Sequence, residues 1–298
     1  GGVGKTTVAA ALAVAAAARG ATVSLVSTDP APSLATCVMR PIRGAPLTVA
    51  ERLDARALDA EAAWARWRED YREELQASLE RSSSGIDLTF DREVVERLLE
   101  LTPPGIDEIV AITELVELAE ADTREVSEAP RVLVIDTAAT GHFLRLIGMP
   151  EVLESWLHAI FRVLLKYREL LRLPRLSDRL IALSRGLKRL RALLGDPSRS
   201  EVWVVTIPTE MAKAEADDLL AALAHLDLNA ARIWINQVTP KSEGCSLCAA
   251  LNAREGAVVD RWRAHHRPGT IGRGEPPLGL DALAQLGDGL LGGDGVHE

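Results

Sequence analysis

Four short apolar runs, rich in β-branched residues, fix the class of fold: 22–27 (TVSLVS), 131–135 (RVLVI), 202–207 (VWVVTI) and 232–235 (RIWI). They are continuous rather than alternating, the pattern of strands buried on both faces. Helical patterns separate them, so the expected class is α/β, a doubly wound and mostly parallel sheet with helices on both sides. A helix over 5–19 should close at Gly20, and a second amphipathic helix spans 213–226. Asp29 follows the first run, Asp136 ends the region of the second, Pro208 follows the third and Asn236 the fourth. Ligands of doubly wound sheets sit at the carboxyl ends of strands, so these positions border a binding site.

The chain has 298 residues, 47% apolar and 26% charged, which excludes a disordered or collagen-like polymer. Lys and Arg number 34 against 43 acids, a net charge of −9, which disfavours general nucleic-acid binding. Three cysteines, Cys37, Cys245 and Cys248, cannot build a disulfide framework. With no signal peptide in the sequence, a reducing, cytoplasmic setting is the expectation. The apolar stretch 152–171 carries Glu154, Arg162, Lys166, Arg168 and Glu169, so it is not read as a membrane span.

The sheet-forming segments are interrupted twice. Residues 51–128 hold 22 acids against 9 Arg, and residues 151–195 hold 10 basic residues against 4 acids. Two helical insertions of opposite charge either pack together, form different faces of one helical subdomain, or are simply two solvated helical surfaces. The expected organisation is a core of 1–50, 129–150 and 196–285, a helical insertion subdomain of 51–128 and 151–195, and a disordered Gly-rich tail, 286–298. Apolar residues at helical spacing from Val152 to Leu165 and from Leu176 to Leu194 serve either core packing or a groove for a hydrophobic helix.

Gly1-Gly2-Val3-Gly4-Lys5-Thr6-Thr7 opens directly into an apolar helix. Glycines let backbone N–H groups turn inward around phosphate oxygens, and the helix adds its N-terminal dipole. Lys5 then reaches the β- and γ-phosphates, Thr6 ligates Mg2+, and Thr7 donates near the α-phosphate.

This run resembles the deviant phosphate loop of the arsenical-pump and tail-anchored-protein-targeting ATPases, a branch of the P-loop NTPases. Ser27-Thr28-Asp29-Pro30-Ala31 is similar to the family's first switch. Asp136-Thr137-Ala138-Ala139-Thr140-Gly141-His142 is similar to its second. Pro104-Gly105-Ile106-Asp107-Glu108 matches a further family segment, and Ile235-Asn236-Gln237 resembles the adenine-reading motif. Pro32 and Ala139 depart from the family pattern, which has His and Pro there.

The resemblance implies an Mg-ATPase working as a homodimeric switch that serves a hydrophobic membrane-protein client or a membrane transporter or receptor, without itself spanning the membrane. Asp29 would orient the attacking water. Asp136 would hold Mg2+ through water, with Thr6. Gly141 would offer its N–H to the γ-phosphate, and His142 and Arg145 would serve either the site or the structure. Asn236, Pro208 and Thr209 would meet the base. Cys245 and Cys248, a C-x-x-C pair, suit half a tetrahedral zinc site or a redox pair, or have no role. The resemblance implies Zn2+ shared with a second subunit. Two rival functions stay open: the catalytic subunit of a metalloid efflux pump, and an ATP-independent chaperone for hydrophobic segments.

The chain opens on Gly1 without Met and lacks the family's first loop Gly, its extra Lys and the strand before them. It reads as a fragment that should fold poorly and turn over slowly. Restoring roughly ten to twenty upstream residues should raise turnover by about 10²-fold, the scale of one lost charge-stabilising donor.

Overall fold

A computed structural model describes residues 2–29, 31–59, 131–137, 174–228, 230–242 and 244–292, with isolated positions 62, 63, 65, 66, 69 and 73. The packing divides the chain into two units: Gly1–Leu58, Asp122–Leu144 and Leu193–Glu298 form one, Asp59–Ala121 and Arg145–Ala192 the other. In chain order the described elements are α1 (Lys5–Ala18), β1 (Thr22–Ser27), α2 (Ser33–Val38), β2 (Leu47–Ala50), β3 (Leu53–Ala57) and β4 (Arg131–Asp136). There follow α3 (Pro174–Leu194), β5 (Val202–Thr206), α4 (Glu210–His225), β6 (Ala230–Val238), α5 (Ser246–Arg263), β7 (Gly269–Gly272) and α6 (Leu280–Gly292).

All four apolar runs form strands. β1 pairs in parallel with both β3 and β4, and β6 pairs in parallel with both β5 and β7. β2 alone among the described strands runs antiparallel, on β3. The fold is therefore α/β with a mostly parallel arrangement, but the strands group as two sheets, β2-β3-β1-β4 and β5-β6-β7. β3 was not foreseen. It lies at 53–57, inside the stretch read as the start of the helical insertion, because Asp54 and Arg56 break its apolar run.

α1 joins the two sheets. Val8, Ala10, Ala11, Ala13, Val14 and Ala17 share one apolar cluster with Val23 and Leu25 of β1, Val134 of β4, Trp234 of β6 and Ile271 of β7. Val26 points to the opposite face from Leu25 and is also buried, so β1 is covered on both sides. Gly20, at φ 93, closes α1: its N–H reaches Ala17 O, and that of Ala21 reaches Ala16 O.

The expectation of a disordered tail from residue 286 is corrected by α6, which runs to Gly292. Gly287 serves close helix packing: a Cβ there would strike Ala11 O and the Ala15 side chain. Leu283 and Leu290 of α6 are fully buried in the same cluster. The Ala-rich face of α1 and Gly287 let the two helices approach closely. Residues 293–298 lie outside the described residues.

In the second unit, α3 forms as the leucine spacing suggests, with Leu190 buried. The apolar stretch around 152–165 lies outside the described residues, as does most of the acidic insertion. Among the described residues no helix is long and apolar enough to cross a membrane.

Candidate nucleotide site

The carboxyl ends of β1 and β4 lie side by side, with Ser27 in register with Asp136. Ser27 Oγ donates to Asp136 Oδ2 at 2.9 Å, and Thr28 N–H donates to the Asp136 carbonyl at 2.9 Å. The Ser27 hydroxyl also accepts the Asp29 N–H at 3.3 Å. Thus Ser27, to which the motif alone gives no role, ties both candidate acids to one strand end. The signal available in the sequence was its place as the last residue of an apolar run.

Asp136 is only 1% exposed, and its Oδ1 has no hydrogen-bond partner among the described residues. Burial pushes its carboxyl above the ordinary carboxylate range; the Ser27 and Thr6 hydroxyls oppose the rise, Asp29 adds to it and Lys5 reduces it. These influences bring Thr6, Lys5, Asp29 and Asp136 into one electrostatic neighbourhood. A buried, unsatisfied carboxylate oxygen beside a threonine hydroxyl is hard oxygen-donor chemistry, which fits the Mg2+ that the motif implies.

The phosphate loop enters α1 through Gly4, at φ 96, with no side-chain cap on the helix. Gly2 is left-handed too, at φ 84. Gly4 as the cap residue has no side chain to compete with an anion for the first N–H groups of α1. Val3 and Gly4 are held from β6: Asn236 Nδ2 donates to Val3 O at 2.9 Å, and a Cβ on Gly4 would run into that same amide nitrogen. Gln237 Nε2 donates to Gly2 O at 3.4 Å. Asn236 thus sits against the loop, with its Oδ1 accepting the Gln237 N–H.

Asp29 Oδ1 accepts the Ala31 N–H at 3.0 Å, a turn contact just ahead of α2. Cys37 of α2 lies 3.8 Å from Thr7 Oγ1, and burial raises its thiol pKa against that contact. Pro208 is buried, and Thr209 caps α4 by accepting the Ala212 N–H. Gly1, Pro30, Gly141, His142 and Arg145 lie outside the described residues.

Cys245 and Cys248 stand apart from these groups in the sequence, at the start of α5. Cys245 is its N-cap, with Sγ accepting the Cys248 N–H at 3.3 Å. The Cys248 thiol and N–H hold the Cys245 thiol below its ordinary pKa, while that same contact raises Cys248. Both thiols are free, and among the described residues no cluster of three or more His, Cys, Asp or Glu surrounds a metal position.

Residues 1–272 match the family model described as Anion-transporting ATPase. The chain is similar to ATPase GET3B of Arabidopsis thaliana, at 31% identity over 97% of this chain and 76% of that protein. It is also similar to ATPase GET3C of the same plant, at 31% identity over 87% of this chain and 70% of that protein. ATPase ARSA1 of Chlamydomonas reinhardtii is 29% identical over 82% of this chain and 35% of its own length. A glycine loop opening α1, two acids at neighbouring strand ends and this match along nearly the whole sequence agree: the chain belongs to the anion-transporting ATPase family of P-loop NTPases and is an ATP-hydrolysing enzyme.

Proposed function

We propose that the protein is a dimeric Mg-ATPase switch that couples its nucleotide state to membrane-protein targeting or transport. The observation that carries this reading is the buried Asp136 Oδ1, unpartnered among the described residues, beside Lys5, Thr6 and Asp29 at the carboxyl ends of β1 and β4. Gly2, Val3, Gly4 and the first turn of α1 cradle the phosphates. Lys5 neutralises charge on the transferring group, where positioning and electrostatics supply most of the catalysis. Thr6 and Asp136 would hold Mg2+, which supplies charge neutralisation on the phosphate oxygens. Asp29 orients the attacking water, and the Ser27 hydroxyl fixes its backbone. Asn236 and Pro208 serve the base side. Gly141 would report the γ-phosphate.

The Cys245–Cys248 pair supplies two sulfurs, so a tetrahedral zinc site needs two more, and the same pair of a second copy provides them. Among the described residues no larger donor cluster closes the site within one chain. The client is a hydrophobic membrane-protein segment. The name of the matching family favours one rival, a pump ATPase acting on an anion.

The test compares Asp29→Asn, loaded with ATP, with the same protein loaded with ADP. The probe is a labelled peptide carrying a single apolar helix of about 20 residues, the length of a membrane span. Capture in the ATP form alone supports the switch. Capture independent of nucleotide points to a passive chaperone. Turnover of the unaltered protein that rises several-fold with arsenite or antimonite, without peptide capture, points to the pump.

A further inference from the structure

β6 does not end cleanly. Its pairing with β7 shifts between Ile235 and Val238, and Gln237 takes φ 59, a left-handed conformation that costs a non-glycine residue. At this kink two successive amide side chains, Asn236 and Gln237, reach the Val3 and Gly2 carbonyls. A strained turn persists only where its surroundings over-determine it.

The constraint comes from α5 and from the segment after β7. Glu255 of α5 is 6% exposed, and its Oε2 accepts the Thr239 N–H at 2.6 Å. Its Oε1 accepts from Arg273 Nη2 at 3.1 Å, and that same nitrogen donates to the Gln237 carbonyl at 3.3 Å. Asn252, one turn earlier on α5, donates to the Thr239 carbonyl at 2.6 Å. The Arg273 N–H takes the Val238 carbonyl at 2.8 Å. Each backbone carbonyl from Gln237 to Thr239 is thereby bound, and the Thr239 N–H with them.

We infer that Glu255 is a positioning residue for the nucleotide: with Arg273 and Asn252 it locks the 237–239 backbone, which aims Asn236 and Gln237 at the phosphate loop. A carboxylate in an apolar interior is retained only where its bonds are made, and these bonds all serve one short segment. The inference rests on the reading of this loop and Asn236 as the ATP site.

The experiment measures binding of a fluorescent ADP analogue in EDTA, KM and kcat for MgATP, and thermal stability. The proteins are wild type, Glu255→Ala, Glu255→Gln, Arg273→Ala, the Glu255→Ala/Arg273→Ala double variant, and Val258→Ala. Val258 is buried on the same helix but carries no polar atom, so its truncation costs stability without touching this network. Glu255→Ala should weaken analogue binding by about tenfold and raise KM in step, with kcat changing less than about threefold, the scale of one charge-assisted hydrogen bond in positioning. Glu255→Gln, which keeps an acceptor for Thr239, should restore part of the loss. Arg273→Ala should shift binding the same way. The double variant should lose less than the product of the two. Val258→Ala should bind as wild type despite melting earlier. Wild-type binding in both Glu255 variants overturns the inference, as does a Val258→Ala loss equal to that of Glu255→Ala. If Glu255→Ala does not fold, Glu255→Gln and Arg273→Ala decide by the same readout. A wild-type protein that binds no ADP analogue instead overturns the ATP-site reading beneath it.

Discussion

Ser27 and Asp136, 109 residues apart in sequence, meet at 2.9 Å through a hydroxyl-to-carboxylate hydrogen bond at the ends of two parallel strands. That bond satisfies Oδ2 and leaves the buried Oδ1 without a partner among the described residues. An acid held in this way is costly to the metal-free fold and suited to a cation.

The cost gives a pH signature. Burial raises the folded pKa of Asp136, so on raising pH the unfolded chain releases this proton first. Stability from this group is therefore greatest in acid and falls as pH climbs from the ordinary carboxylate range through the raised value. In EDTA, Asp136→Asn should melt at or above wild type at pH 7, with the gap closing towards pH 4. The same variant should lose about 10²-fold or more of MgATP turnover and lose any stabilisation by MgADP. A variant that melts well below wild type at pH 7, with the gap widening on alkalinisation, would contradict the sign. Calorimetric scans across pH make the comparison.

Asp29 already makes a turn contact to the Ala31 N–H, and this contact tests its role. Asparagine keeps an acceptor for that bond but loses the charge. Asp29→Asn should therefore leave nucleotide binding within about threefold while cutting kcat by about 10²-fold, as for a group acting on the transition state. Asp29→Ala should also disturb the turn and raise KM. Equal loss of binding and turnover in Asp29→Asn would assign the residue to the loop alone. Steady-state kinetics alongside direct binding separates the two.

The parts of the fold visible in the sequence are those with an uninterrupted local signal. β1 reads directly because both its faces are buried, β4 because its apolar run is unbroken although only Val134 and Asp136 are buried, and α1 because its glycine loop and Gly20 bracket an apolar run. β2 and β7 are only four residues long, and β3 carries exposed charge, so none has a pattern to read. α6 is hidden in the sequence because Gly287 signals flexibility there and close contact in space. The site shows the same limit. The glycine loop and both acids are motif residues. The bond from Ser27 to Asp136 needs strand register, and Glu255 resembles any exposed helical acid until α5 is docked.

The three thiols should differ in reactivity. Cys245 is the N-cap of α5 and its pKa is lowered by the Cys248 contact; Cys248 is raised by that same contact, and Cys37 is raised by burial. The thiolate is the nucleophile. In EDTA at pH 7, iodoacetamide should modify Cys245 first, followed by mass spectrometry of the peptides. Added Zn2+ should protect Cys245 and Cys248 together and leave the rate at Cys37 unchanged. Cys245→Ser with Cys248→Ser should abolish zinc binding and weaken dimerisation, read by sedimentation with metal analysis. A fully dimeric, zinc-free wild type would remove the shared site.

The contact between α1 and α6 makes the last test, because it joins the end of the described chain to the phosphate-loop helix. Gly287 lies where any Cβ meets Ala11 O and Ala15, and Leu283 and Leu290 are fully buried on either side. The helices cannot separate locally without exposing these leucines. Gly287→Val should thus force overpacking and cost about 1–3 kcal/mol, even though valine lowers backbone entropy in the unfolded chain. Gly292→Ala, where a Cβ meets nothing within 4 Å, should be neutral or slightly stabilising. Because α1 carries Lys5 and Thr6 at its first turn, any shift of its axis reaches the phosphates. Gly287→Val should therefore also raise KM for MgATP, an effect that Gly292→Ala lacks. Denaturant melts and steady-state kinetics of the two variants test both halves. Equal stability of Gly287→Val and wild type would mean that α6 does not pack on α1 at this distance.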